Sequence, residues 1–436
     1  MRSSMHIYFS GIGGAGIGPL AMVAKQAGYE VSGSDKQDSE YIHYLRDHAI
    51  TNIHIGQQRD GIRAIHEAHP IDWFVYSSAL PLENPDAPEL HYCHEQNIKT
   101  SKRDQLINTI LTDKHLRLVA IAGTHGKTTT TALVIWLLLQ FEEPISYLLP
   151  AKTSFAQLGT FDPDSRYFIY EADEFDRNFL AFQPAVSLIS GVSWDHHEIF
   201  PTREDYQEAF REFITQSTTT FIWQEDSDYL GLEGKRNGIH VLKSDESTIN
   251  KLGLLGKYNR LDAWLAITAV RHITKQPLEN LVKEVNRFPG LQRRMEQIVP
   301  NLFSDYAHTP EKIRGAMSVA METAAQRGQK LIVLYEPLTN RRQHYIMNNY
   351  KDCFNGAEKV YWLPSYLARE NPRQRIITPD ELISHLDDPR IAKSVKLGPA
   401  LKQTIQKHLN AGDMVVAMAG GGGGSLDDWL RQEFQV

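Results

Sequence analysis

The sequence predicts an α/β protein of three domains built on largely parallel sheets. Three observations carry that expectation. Strand and helix patterns alternate and start afresh three times along the chain, which is the signature of a sheet with helices on both faces. The first two cycles each place a glycine-rich turn between a short apolar strand and a helix. The length, 436 residues, exceeds what one hydrophobic core ordinarily serves.

The first cycle runs from strand His6–Ser10 through the turn Gly11–Gly18 into a helix Pro19–Ala27, and Glu30–Ser34 follows as a second strand. Asp72–Ser78 reads as a further buried strand with the helical pattern Asp86–Gln96 behind it. The second cycle opens at Leu116–Ala122, turns at Gly123–Gly126 and continues as a helix Thr128–Gln140, with strands at Tyr167–Glu171, Ala185–Ser190 and Thr219–Trp223. A third starts near Phe288-Pro289-Gly290, with strands at Leu331–Tyr335, Lys359–Leu363 and Met414–Ala419. Polar and Pro/Gly punctuation then sets the boundaries, giving domains 1–113, 114–288 and 289–436. Gly420–Gly424 is the one low-complexity stretch and reads as a loop at a strand's C-terminal end.

Composition narrows the function. A net charge of −7 offers no general attraction to nucleic acid or to an anionic membrane, so any anionic ligand must be held by local sites. The two cysteines, Cys93 and Cys353, form no disulfide framework and no metal-ligand spacing, as expected of a reducing compartment. The apolar run Ala132–Leu139 is far shorter than the ~20 residues that span a bilayer. Arg2 before an apolar stretch faintly imitates a signal peptide, but glycines punctuate that stretch, so it reads as strand and turn. These features predict a cytoplasmic protein without nucleic-acid or membrane partners; a monomer or weak dimer is expected, though none of these features sets the oligomeric state.

The sharpest chemical signal is Gly123-Thr124-His125-Gly126-Lys127-Thr128-Thr129 between strand and helix. Glycines let the backbone N–H groups turn inward onto phosphate, and the helix N-terminus adds partial positive charge. Lys127 reaches the outer phosphates and the Thr128 hydroxyl can ligate Mg²⁺. The competing reading, a glycine turn with an exposed surface lysine, is disfavoured by the flanking strand and helix. Glu171-Ala172-Asp173-Glu174-Phe175-Asp176 follows an apolar strand, and its carboxylates repel one another unless a cation sits among them. A solvated acidic loop is a serious competing reading for Glu174 and Asp176, and a weaker one for Glu171. Asp195-His196-His197-Glu198 offers further metal ligands, better suited to Mg²⁺ shared with ATP than to zinc. Gly11-Ile12-Gly13-Gly14-Ala15-Gly16 has the dinucleotide-turn spacing, with Asp35 closing the second strand. Beside a separate phosphate loop, that turn is expected to hold a nucleotide substrate, not a redox cofactor.

With these motifs in place the chain resembles the Mur ligases. Gly11–Gly16, Ser32-Gly33-Ser34-Asp35, Ser77-Ser78-Ala79, Gly123–Thr131, Glu171–Asp176 and Asp195-His196 occur in that family's order and spacing. So do Gly256-Lys257-Tyr258-Asn259, Gln292-Arg293-Arg294 and Asp305-Tyr306-Ala307-His308. The resemblance implies a Rossmann-like UDP-binding domain, a central P-loop ATPase domain and a C-terminal Rossmann-like domain. It gives Gly123, Thr124, His125, Gly126, Lys127, Thr128, Thr129 and Asn259 to ATP, with Asn259 facing the adenine. Thr128, Glu171 and His196 fall to Mg²⁺. Gly11, Gly13, Gly14, Gly16, Asp35 and Ser77 fall to the UDP-linked substrate. Lys127, His196, Arg294, Asp305 and His308 are the implied catalytic set.

The implied reaction joins UDP-N-acetylmuramate to an amino acid, L-alanine being favoured, through an acyl phosphate in peptidoglycan precursor synthesis. Bringing the attacking carboxylate to a phosphate opposes like charges, at about 4 kcal/mol per close pair in an effective dielectric near 20. Lys127 and Mg²⁺ are therefore expected to supply the main catalytic term. Departures from the family pattern are Asp262 in place of a second Asn, Pro150-Ala151-Lys152 in place of a glycine pair, and Glu336-Pro337-Leu338-Thr339-Asn340-Arg341-Arg342 in place of Q-P-H-R-x-T-R. The last, with Gly420–Gly424, leans toward the branch that recycles a murein tripeptide. A dehydrogenase would leave Lys127 and Glu171 without work, and a regulatory nucleotide-binding protein would hydrolyse nothing.

Overall fold

The computed structural model describes residues 4–77, 80, 86–195, 199–232, 237–245, 247–367, 374–421 and 424–435. Three sheets organise them. The first consists of β1 (His6–Ser10), β2 (Glu30–Asp35), β3 (Ile53–Ile55), β4 (Trp73–Tyr76) and β5 (Lys99–Lys102), in the order β3-β2-β1-β4-β5. Every pairing in it is parallel. The strand order reverses beside β1, which in open α/β sheets leaves a ligand crevice at the carboxyl ends of the strands.

The second sheet is built from β6 (Arg117–Ala122), β7 (Ile145–Leu148), β8 (Gly159–Thr160), β9 (Tyr167–Glu171), β10 (Val186–Ile189), β11 (Thr219–Trp223) and β12 (Ile239–Leu242). Its order is β12-β11-β10-β6-β9-β7-β8, with β6 innermost and only β7–β8 antiparallel. The helix Lys127–Gln140 leaves β6 through the glycine turn, and Thr130 to Ile135, Leu137 and Leu138 are all buried. The apolar run Ala132–Leu139 is thus a core helix. Among the described residues, no helix is long and apolar enough to cross a membrane.

The third sheet contains β13 (Glu296–Val299), β14 (Leu302–Asp305), β15 (Leu331–Glu336), β16 (Lys359–Trp362), β17 (Ala392–Ser394) and β18 (Met414–Ala419), ordered β13-β14-β18-β15-β16-β17. Only β13–β14 is antiparallel. Every residue of β15 and of β18 is buried, as expected for parallel strands covered on both faces.

The chain forms two compact units. Residues up to Leu252 and Leu261–Phe288 make the first, which carries two sheets; Gly253–Arg260 and Pro289 onward make the second, which carries the third. The division falls inside one helix, Lys257–Thr274. Cys93 lies in the first unit and Cys353 in the second, both free and buried.

Candidate active site

In the first unit, two glycine turns follow the strands β1 and β6. After β1, the amides of Gly11 and Ile12 both donate to the Ser34 carbonyl, at 2.8 and 2.9 Å, and pull the turn onto the end of β2. Asp35, the last residue of β2, accepts from the Gly13 amide at 2.8 Å. Asp35 therefore braces the turn that the sequence reading gave to the UDP substrate. A Cβ on Gly13 would stand 3.0 Å from both the Asp35 carboxylate and Ile42. Ser77 lies just past β4, on the same edge of the sheet.

Gly13→Val is expected to weaken UDP binding at least about tenfold, because its side chain blocks the approach of a diphosphate to the backbone. Nucleotide affinity at the second turn should hold, as that turn hangs from a different sheet. Calorimetric titration with UDP and with a non-hydrolysable ATP analogue reads both. Equal losses would contradict the assignment of two separate sites.

After β6, Gly126 caps the helix Lys127–Gln140 with φ +77°, the left-handed region, and no side chain caps the first turn. The first-turn N–H groups there suit an anion. A Cβ on Gly126 would meet the Asp262 carboxylate at 2.5 Å, so Asp262 packs directly against this turn. Thr124 is consumed structurally. Its hydroxyl donates to the Ser193 carbonyl at 2.8 Å and meets the Tyr206 hydroxyl at 2.7 Å, while its amide donates to Gly191.

Lys127 opens its helix and is not an exposed surface lysine. Its side chain is only 14% exposed, and Nζ donates to the Gly123 carbonyl and to Glu174 Oε2, each at 2.6 Å. Burial opposes its charge, but Glu174, Asp173 and Glu171 outweigh burial and hold its pKa above the ordinary lysine value. Glu174 is fully buried, so the solvated reading fails for it, whereas Asp176 is partly exposed and pairs with Lys102. Glu171 ends β9, the strand next to β6. A lysine, uncapped helix amides, the Thr128 hydroxyl and the Glu171 carboxylate are the donor set a triphosphate with Mg²⁺ requires. His196 lies outside the described residues, as do His197 and Glu198.

In the second unit, Asp305 ends β14 and is buried. Its two oxygens accept from the amides of Met295 and Ala307, both at 2.9 Å, so it ties the start of β13 to the turn after β14. Burial raises its pKa, opposed by Arg294 and those amides. His308 is buried, with Nδ1 2.8 Å from the Tyr306 carbonyl. Burial first, then Lys312, Arg342 and Arg294, push its pKa down to about 3. A Cβ on Gly420 would stand 2.6 Å from the His308 ring, which explains a glycine where β18 gives way to its loop.

Glu336, at the end of β15, is 5% exposed, and burial raises its pKa to about 7 against the Leu426 amide and Arg293. Arg293, more than Arg294, builds this edge. Its guanidinium donates to the carbonyls of Ala419 and Gly421, at 2.6 and 3.2 Å, and lies 4.7 Å from the Tyr306 ring centroid. Asn259, in the first turn of its helix, donates to the Leu255 carbonyl at 2.8 Å.

Lys102, Arg103 and Tyr206 escaped the sequence reading, which weighed Glu174 but left a solvated loop as its rival. Tyr206 stands in an ordinary amphipathic helix. Only Arg103 left a trace, as the second of two cations where a strand meets a helix.

The chain matches known proteins over most of its length. Residues 6–115 match the family model described as Mur ligase family, catalytic domain, and residues 121–252 match the Mur ligase middle domain, together more than half of the chain. A UDP-N-acetylmuramate–L-alanine ligase from Clostridium beijerinckii is 29% identical over 86% of this chain and 86% of its own. Among solved structures, a UDP-N-acetylmuramate–alanine ligase from Thermotoga maritima superposes with a TM-score of 0.76 at 22% identity, covering 99% of this chain and 98% of that one. A murein peptide ligase from Psychrobacter arcticus gives 0.64 at 20% identity, covering 99% of each. With the turn geometry, the order of the motifs and both family models in agreement, the chain belongs to the Mur ligase family and is an ATP-dependent acid–amino-acid ligase.

Proposed function

We propose that the chain joins L-alanine to the carboxylate of UDP-N-acetylmuramate, with ATP converted to ADP and phosphate. The observation that carries this reading is the pair of glycine turns in one compact unit, one braced by Asp35 and the other holding a buried lysine among carboxylates. Two anion sites of different build suit a sugar-nucleotide substrate and a triphosphate. The printed name of the Clostridium beijerinckii relative supports the choice of acid and amine. In this reading the substrate carboxylate attacks the γ-phosphate to give an acyl phosphate, and the amine then displaces phosphate.

Lys127 and the first-turn amides hold the transferring phosphoryl group. Thr128 and Glu171 would hold Mg²⁺, and a cation there would supply charge neutralisation for the phosphate oxygens. Asp305 keeps the β14 turn in shape through its backbone partners. His308 is neutral at physiological pH, since its pKa is about 3.

A second reading, with a murein tripeptide as the amine, is favoured by the segment 336–342, where Arg341 is exposed and Arg342 half-buried on the helix Asn340–Ile346. Those cations suit the carboxylates of a peptide, though helix-start arginines are ordinarily only solvated. Release of ADP is the measurement. It should require UDP-N-acetylmuramate, saturate with L-alanine, and show at least about tenfold lower kcat/KM with the tripeptide. A large preference for the tripeptide would move the chain to the recycling reaction. ADP release that needs no amine would refute both.

A further inference from the structure

Arg103 opens the helix Arg103–Asp113, directly after β5, and its guanidinium lies between the β1 glycine turn and the acidic loop after β9. On one side, Nη1 lies 2.8 Å from where a Cβ on Gly16 would stand, so the guanidinium rests on the β1 turn and any larger residue at 16 would displace it. On the other side, Nη2 lies 3.9 Å from Asp173 Oδ2 in the acidic loop after β9. The Arg103 side chain is 26% exposed and that of Asp173 36%. The neighbouring Lys102 pairs closely with Asp176 of the same loop. The other titratable groups around Arg103 are Tyr170, Glu171 and Asp104.

Three features single out this cation. A separation of 3.9 Å is an ion pair without a formed hydrogen bond, so exchanging Asp173 for a stronger acceptor costs little. A diphosphate is such an acceptor, because a guanidinium binds phosphate oxygens in bidentate fashion. And while Arg103 faces the acidic loop, it offsets part of the negative charge that a divalent cation there would need.

We propose that Arg103 is a counter-ion shared by the two sites. It pairs with Asp173 while the glycine turn is empty and moves to the diphosphate when UDP is seated. Binding of UDP thereby returns negative charge to the acidic loop and strengthens the hold on Mg²⁺–nucleotide. By linkage, Mg²⁺–nucleotide strengthens UDP binding by the same factor. This inference rests on the assignment of the β1 turn to UDP and of the β6 turn to ATP.

The test is a thermodynamic cycle on the full-length protein, by calorimetry with UDP and with MgCl₂ plus a non-hydrolysable ATP analogue. In the wild type, saturating UDP should tighten Mg²⁺–analogue binding about fivefold to tenfold, and the reverse titration should give the same factor. Arg103→Ala should weaken UDP about tenfold or more while leaving Mg²⁺–analogue binding in the absence of UDP unchanged or tighter, with the coupling gone. Asp173→Asn, which frees the guanidinium, should tighten UDP in the absence of metal. Arg103→Lys should keep part of the UDP affinity.

A merely structural role would weaken both ligands together in Arg103→Ala, and that outcome overturns the proposal, as does coupling that survives the substitution. If Gly13→Val leaves UDP binding intact, the β1 turn itself has been misassigned, and the fault lies in the functional reading beneath this one.

Discussion

Lys127→Ala is expected to lower kcat for ADP release by on the order of 10²-fold or more, because it removes the charge aimed at the transferring phosphoryl group. The structure adds a second effect. Lys127 is paired with the fully buried Glu174, and removing one partner of such a pair ordinarily destabilises by about 3–5 kcal/mol. A loss of melting temperature should therefore accompany the loss of turnover. The double variant Lys127→Ala/Glu174→Gln separates the two. It should recover much of the melting temperature, since a neutral amide tolerates the lysine's absence, and recover none of the turnover. Near-normal turnover in a folded Lys127→Ala protein would show that the phosphate site lies elsewhere.

The other large effect is on stability in acid. His308 has a pKa of about 3 in the fold, against an ordinary value of 6.5. Between those limits the unfolded chain binds a proton that the folded chain excludes. The stability this residue contributes is then complete above its unfolded pKa and is lost as pH falls toward the folded one. The slope reaches at most ~1.4 kcal/mol per pH unit. Urea midpoints from pH 7 down to pH ~4.5 should fall in the wild type and fall less steeply in His308→Gln, which has no proton to gain. Parallel curves would mean that His308 is not held neutral. For the chemistry, so weak a base takes a proton from an ammonium poorly, which favours a role for His308 in placement over one in proton transfer.

The legible strands share a buried apolar centre. Strands β1, β9, β11 and β18 occupy the residue ranges read from sequence, and all but β11 and β9 are buried along their whole length. Strands covered on both faces are nearly continuous apolar runs, which stand out against polar punctuation. The edge strands do not stand out. Lys99–Lys102 is Lys-Thr-Ser-Lys, and Ile239–Leu242 carries exposed His240 and Val241, so neither shows an apolar period.

The glycine turns were legible for a similar reason: anion-binding backbone needs glycines at fixed spacing, and that leaves a mark in one dimension. What could not be read was charge placement. Glu174 and Asp176 look alike in the sequence, yet one is sealed against Lys127 and the other faces solvent beside Lys102. Arg103 gains its neighbours Gly16 and Asp173 only through the stacking of separate βα units. The motif arginines offer the same lesson. Arg293 and Arg294 are adjacent and equivalent on paper, but it is Arg293 whose guanidinium holds the carbonyls of Ala419, at the end of β18, and Gly421.

The strand order of the third sheet bears on how the protein is made. Its inner strand β18 lies between β14 and β15, yet it is the last strand synthesised, some eighty residues after β15. The first sheet is complete once Lys102 has emerged. The third waits, with the facing edges of β14 and β15 unfilled, until Met414–Ala419 has emerged. Parallel pairings of this range form slowly and leave apolar edges open in the meantime. Loss of the chain from Met414 onward would consequently remove the centre of a sheet and not its margin.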